Sequence, residues 1–102
     1  MNKLYRKIFL AFVQVHILHH ANKEPFFGLW IIEELKKHGY SMSAGTLYPI
    51  LHGMEMDGLL EREERVIEGK VRKYYSLTAQ GKVVLEEAKM KSRELYQEII
   101  EE

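Results

Sequence analysis

Residues 3–20 carry apolar side chains on nearly every face of a helix: Leu4, Ile8, Phe9, Ala11, Phe12, Val15, Ile17 and Leu18. A helix that is apolar all round has to be covered all round. A chain of 102 residues can hardly do that alone, so one side of this helix is expected against its own domain and the other against a partner subunit. Asn22-Lys23-Glu24-Pro25 breaks the pattern, and Pro25 suits a helix start. The second helix runs from about Phe27 to His38, with Leu29, Ile31, Ile32 and Leu35 turned inward. Its last turn holds Lys36, Lys37 and His38, whose charge complements the helix dipole, and Gly39 suits the left-handed residue that ends it.

The third helix contains a conflict. Ser43 is a good N-cap, and Leu47, Ile50, Leu51 and Met54 fall at helical spacing. Pro49 then lies in the second turn, where it removes a backbone hydrogen bond and crowds residue 45. Gly45 gives the ring room, so a start at Ser43 is preferred over one at Pro49, with Gly58 as the end.

Leu59 to Val66 and Val71 to Leu77 read as two strands around a turn at Ile67-Glu68-Gly69-Lys70. Thr78 caps a long last helix whose stripe is Leu85, Ala88, Ser92, Leu95 and Ile99. These steps alternate three and four, the coiled-coil period, but two heptads are too few to stand alone. Leu4 and Ile8 of the first helix are the natural addition to that interface. The expected fold is mainly α with a small β-hairpin: a winged helix-turn-helix over residues 1–77, and a dimerisation helix over 78–102 in the same compact unit.

With 46% hydrophobic residues the chain can build a core, though a modest one that pairing would supplement. The absence of cysteine excludes disulfides, thiolate zinc sites and cysteine nucleophiles. No secretory signal is visible, and the longest apolar run, Ile8 to Leu18, is eleven residues where a membrane span needs roughly 20. A cytoplasmic location is the expectation, without a membrane partner. Net charge is 0, yet residues 1–77 hold eleven Lys or Arg against nine Asp or Glu (+2), and residues 78–102 four against six (−2).

A polar turn between two helices, followed by a hairpin with a basic tip, is the arrangement that lays a helix in a DNA groove and a ribbon on the backbone beside it. Ser41, Ser43, Thr46, Tyr48 and His52 are the groups able to reach base edges or phosphates, although serines here also serve as turn and cap residues. On the hairpin, Lys70, Arg72 and Lys73 are the expected phosphate contacts. Arg62 and Arg65 lie among Glu61, Glu63, Glu64 and Glu68, which neutralise the first strand. Lys3, Arg6 and Lys7 add positive charge nearby. Phe12, Trp30 and Tyr96 are candidates for an aromatic effector pocket between subunits, against the plainer alternative of packing. His16, His19 and His20 have a spacing that suits a metal, but no glutamate completes a hydrolytic motif and histidine is common near helix C-termini. No metal and no cofactor are expected. Nothing resembles an enzyme's paired acids or nucleophile with its base. The rival to DNA binding is a winged helix used to hold another protein, which the neutral charge favours.

The chain resembles the PadR family of bacterial and archaeal transcriptional regulators. The resemblance rests on Gly39-Tyr40, on Ser43-Ala44-Gly45-Thr46-Leu47-Tyr48-Pro49-Ile50-Leu51, on Glu55 and Gly58-Leu59, and on Arg72-Lys73-Tyr74-Tyr75-Ser76-Leu77-Thr78 with Gly81. It covers about residues 4–85 and points to the short subgroup with a single C-terminal helix. The resemblance implies double-stranded DNA and a second copy of the chain as partners. It implies repression at a pseudo-palindromic operator and release by small aromatic molecules such as phenolic acids or drugs. Two departures stand out. The stretch Ser43 to Asp57 contains no Lys or Arg, whereas relatives often carry a basic residue near Gly53. Ser92 occupies the terminal-helix position where multidrug-sensing relatives place a tryptophan that sandwiches flat ligands.

Overall fold

The computed structural model describes residues 2–102. Helix α1 (Lys3–Lys23) is followed by a short strand β1 (Phe26–Phe27), helices α2 (Gly28–Lys37) and α3 (Ala44–Met56), strands β2 (Leu60–Ile67) and β3 (Lys70–Leu77), and helix α4 (Ala79–Ile99). The Asn2 side chain starts α1 by accepting the N–H groups of Leu4 (2.7 Å) and Tyr5 (3.3 Å). Gly39, at φ +90°, ends the α2 turn in the left-handed region that a side chain would resist.

One core joins all the elements. Val13, Ile17, Leu18 and Ala21 of α1 meet Ile31 and Leu35 of α2, Leu47, Leu51 and Met54 of α3, Leu60 and Tyr75 of the sheet, and Leu85 of α4. On each helix these residues recur every three or four positions, the spacing that lines one face. Helix α3 continues through Pro49 and keeps its inner face intact. Leu29, expected to point inward on α2, is instead 62% exposed at the start of that helix.

The hairpin turns at Glu68 (φ 51°) and Gly69 (φ 78°), a two-residue loop with both residues left-handed that matches the twist of the strands. It carries Leu60 opposite Leu77 and Val66 opposite Val71. The sheet has a third member that the pattern did not predict. Phe26 and Phe27 pair with Tyr75 and Tyr74, giving the antiparallel order β1-β3-β2. The Thr78 hydroxyl donates to the Gly58 carbonyl (2.6 Å) and accepts the Gly81 N–H (2.9 Å), so one side chain fixes the end of α3 to the start of α4.

Beyond Leu85 only Ala88 of α4 is partly buried, and the rest of the helix extends the molecule to 54 × 31 × 22 Å. Leu85, expected in the dimer seam, is 1% exposed and belongs to the chain's own core, so a partner cannot reach it. Of the other residues expected in that seam, Ala88 is half-buried, and Ser92, Leu95 and Ile99 of α4 and Leu4 and Ile8 of α1 are exposed. No helix among the described residues is long and apolar enough to cross a membrane.

Candidate nucleic-acid interface

Burying Leu47, Leu51 and Met54 turns Gly45, Thr46, Tyr48, Pro49, His52, Gly53 and Met56 of α3 to solvent. That face is uncharged, so nothing on it repels a phosphate. Ser43 holds the N-cap position with extended backbone, but its hydroxyl does not cap the helix. It lies 3.4 Å from the Thr46 hydroxyl instead, so both oxygens sit together at the exposed N-terminus of α3. Ser41 is placed elsewhere. It lines a shallow cavity with Ile32, Glu33, Lys36 and Met42, against α2 and away from the hairpin.

The ring of Tyr48 lies across Gly28, where any β-carbon would overlap its phenol. That close approach sets Tyr48 beside the wing. Tyr48, Phe27, Gly28 and Leu29 on one side, and Lys70, Val71, Arg72 and Lys73 on the other, line a single groove of about 550 Å³. The Arg72 guanidinium rests 4.5 Å above the Phe27 ring, which holds it at the groove wall.

The hairpin cations fall into two groups. Arg62 pairs with Glu55 (3.7 Å), and Arg65 pairs with Glu63 (2.8 Å) and lies over Tyr74. Lys70, Arg72 and Lys73 make no ion pair among the described residues. The structure thus brings Tyr48 together with the three wing cations expected to touch phosphate, while Thr46, Ser43 and His52 lie along the exposed face of the same helix.

The sequence profile of the PadR-like transcriptional regulator family matches residues 17–87. The chain belongs to that family. This PadR-like regulator is 46% identical over 90 residues to Transcriptional regulator Rv3488 of Mycobacterium tuberculosis, an alignment spanning 88% of this chain and 84% of the relative. Its fold superposes on a PadR-like transcription factor from Bacteroides fragilis with a TM-score of 0.83 at 30% identity, covering 96% of each chain. A PadR-like transcriptional regulator from Bacillus cereus gives a TM-score of 0.83 at 28% identity, covering 91% of this chain and 92% of the other. Membership makes the chain a winged-helix transcriptional regulator with DNA as its implied partner, and not an enzyme.

Within one PadR-like chain Phe12, Trp30 and Tyr96, the candidates for a pocket between subunits, lie apart. Phe12 lines an apolar groove of about 510 Å³ between α1 and α4, with Ala11, Val15, His19, Leu85 and Ala88. Trp30 stacks on Phe26, meets His20 edge-on and lines a different cavity, beside Pro25 and Tyr74. Tyr96 is exposed further along α4 than Ser92, the last residue of the groove wall. Trp30 lies on α2, and its neighbours are His20 and Phe26, not the walls of the α1–α4 groove. Gly28 and Leu29 are parts of the wing groove that sequence reasoning missed, since neither carries a polar side chain.

Proposed function

We propose that this PadR-like chain acts as a homodimeric, sequence-specific DNA-binding repressor. Helix α3 enters the major groove and the hairpin rests on the adjacent backbone. The observation that carries this reading is the groove shared by Tyr48 and the unpaired Lys70, Arg72 and Lys73. A reading side chain and phosphate-seeking cations on one concave surface are what a wing and a recognition helix need in order to straddle a DNA strand. Dimerisation is supported by the exposed apolar residues Leu4, Ile8 and Phe12 of α1 and Leu95, Ile99 and Ile100 of α4. So much apolar surface on so small a chain marks an interaction site. The proposed two-fold axis runs through these helices, and reading two half-sites requires the two α3 helices to lie about 34 Å apart, one duplex turn.

The α1–α4 groove supports release by a small aromatic effector. Its wall is mainly apolar, with His16, His19 and Lys89 able to meet a phenol or carboxylate. The test of the reading is fluorescence anisotropy on labelled duplexes, including the promoter region upstream of the chain's own gene. Thr46→Ala and Tyr48→Phe are expected to change the ranking of duplex sequences. Equal weakening on every sequence would show that α3 positions the protein without reading bases.

A further inference from the structure

His16 and His20 are four residues apart on α1 and therefore share a face. Glu34 and His38 are also four apart, at the end of α2. The fold turns these two pairs toward each other. One ring nitrogen from each of His16, His20 and His38 lies within 4.8 Å of the other two. The Glu34 Oε1 atom is 3.9 Å from Nε2 of His20 and 3.9 Å from Nε2 of His38. The other Glu34 oxygen is held by Lys37 at 3.3 Å, which aims Oε1 at the rings. At 3.9 Å neither histidine contact is a hydrogen bond.

Three imidazole nitrogens thus gather within 4.8 Å of one another, with a carboxylate oxygen of Glu34 3.9 Å from two of the rings. Packing alone does not account for this. Tyr40 and Trp30 flank the rings at 5.3 Å from His16 and 5.5 Å from His20, and would cover them whatever way the nitrogens faced. A neutral imidazole keeps one unprotonated ring nitrogen, so each of the three rings can offer a lone pair to a cation. Burial, then the neighbouring histidines, lowers the pKa of both His16 and His20 against the opposing pull of Glu34.

We propose that His16, His20 and His38, completed by Glu34, form a four-coordinate site for a divalent transition-metal ion of the zinc class. Donors held 2.0–2.1 Å from a tetrahedral zinc are about 3.3 Å from one another. The ring nitrogens, now within 4.8 Å of one another, would draw in to that value on binding. Three imidazoles and one carboxylate suit zinc, cobalt or nickel and not the oxygen-seeking calcium or magnesium. His19 takes no part, because its ring nitrogens are not among those that gather with His16, His20 and His38. The site joins α1 to the last residue before the turn that leads into α3, so an ion there fixes the root of the helix-turn-helix. The proposal stands apart from the DNA reading and survives its failure.

The test uses the full chain, stripped with a chelator, then titrated with Zn²⁺ by calorimetry and with Co²⁺ by visible absorption. One ion per chain, an intense four-coordinate cobalt spectrum and a rise in melting temperature with Zn²⁺ are expected. Loss of a ligand's supporting partner costs a metal site ~10–100-fold, so loss of a ligand should cost at least about 100-fold. His38→Ala is the variant of choice, because that side chain is 46% exposed and outside the core. It should abolish the cobalt spectrum and weaken Zn²⁺ about 100-fold with an unchanged circular dichroism spectrum. His19→Ala and His52→Ala should bind as the parent does. Equal Zn²⁺ affinity of parent and His38→Ala, equal loss in His19→Ala, or a weak six-coordinate cobalt spectrum would each overturn the site.

Discussion

Replacing Arg72 and Lys73 together by Gln should flatten the salt dependence of DNA binding by a calculable amount. Gln keeps most of the Arg72 stem on the Phe27 ring, so the change removes charge and little packing. Each phosphate contact contributes about 0.9 to the slope of log affinity against log salt. Two residues in two wings make four contacts, so the slope of the dimer should fall by about 3.6. At 0.1 M salt each contact is worth about 1.2 kcal/mol, and the four together give an upper bound near 5 kcal/mol. The structure also supplies the control. Arg62 and Arg65 are engaged by Glu55 and Glu63, so the double change Arg62→Gln with Arg65→Gln should move the slope by less than about one unit. The assay is anisotropy on a duplex of arbitrary sequence over a range of salt, which requires no knowledge of the operator. An unchanged slope in the Arg72 and Lys73 variant, or an equal flattening in the Arg62 and Arg65 variant, would remove the wing groove from the binding surface.

Three further outcomes follow from particular residues. Gly28→Ala should leave stability within about 1 kcal/mol, because the clash is with the free end of the half-exposed Tyr48 ring, yet it should shift sequence preference as Tyr48 substitutions do. Denaturation and anisotropy on the same sample check both halves. Pro49→Ala should stabilise the fold by about 2 kcal/mol in urea unfolding: proline in a helix interior costs ~3 kcal/mol relative to alanine, less up to about 1 for the looser unfolded chain. Ile8→Glu or Ile99→Glu should leave the fold intact and yield monomers in sedimentation. Each residue is exposed in the single chain, and a buried isoleucine is worth about 1.5–3 kcal/mol in each of two copies.

Local patterns made most of the fold legible. Ser43, Leu47, Leu51 and Met54 mark α3 even against Pro49, because the inner face is continuous and Gly45 relieves the crowding. Glu68-Gly69 between two runs of strand formers marks the hairpin. What stayed hidden depends on distant partners. Phe26 and Phe27 form a strand only because Tyr74 and Tyr75 lie alongside, and two residues beside a proline have no period to read. Leu85 fits a heptad as well as a core position, and only the packing of α4 onto α1 decides between them. The wing cations could be separated in advance from Arg62 and Arg65 by counting the acids around them. By contrast, Trp30 could not be separated from Phe12, since nothing local says which side of the core a helix occupies. The histidines show both limits together. The spacing of His16, His19 and His20 was visible but did not by itself favour a metal, whereas His38 joins His16 and His20 only when α2 packs against α1.

The central claim is that two copies present paired α3 helices to one duplex. Selection of bound fragments from a pool of random duplexes tests it most directly, since the protein then reports both its sequence and its symmetry. An enriched inverted repeat with half-site centres about one helical turn apart, ~10 base pairs, is the predicted result. Recovery of no common sequence, or of a lone half-site without its mirror image, would contradict it.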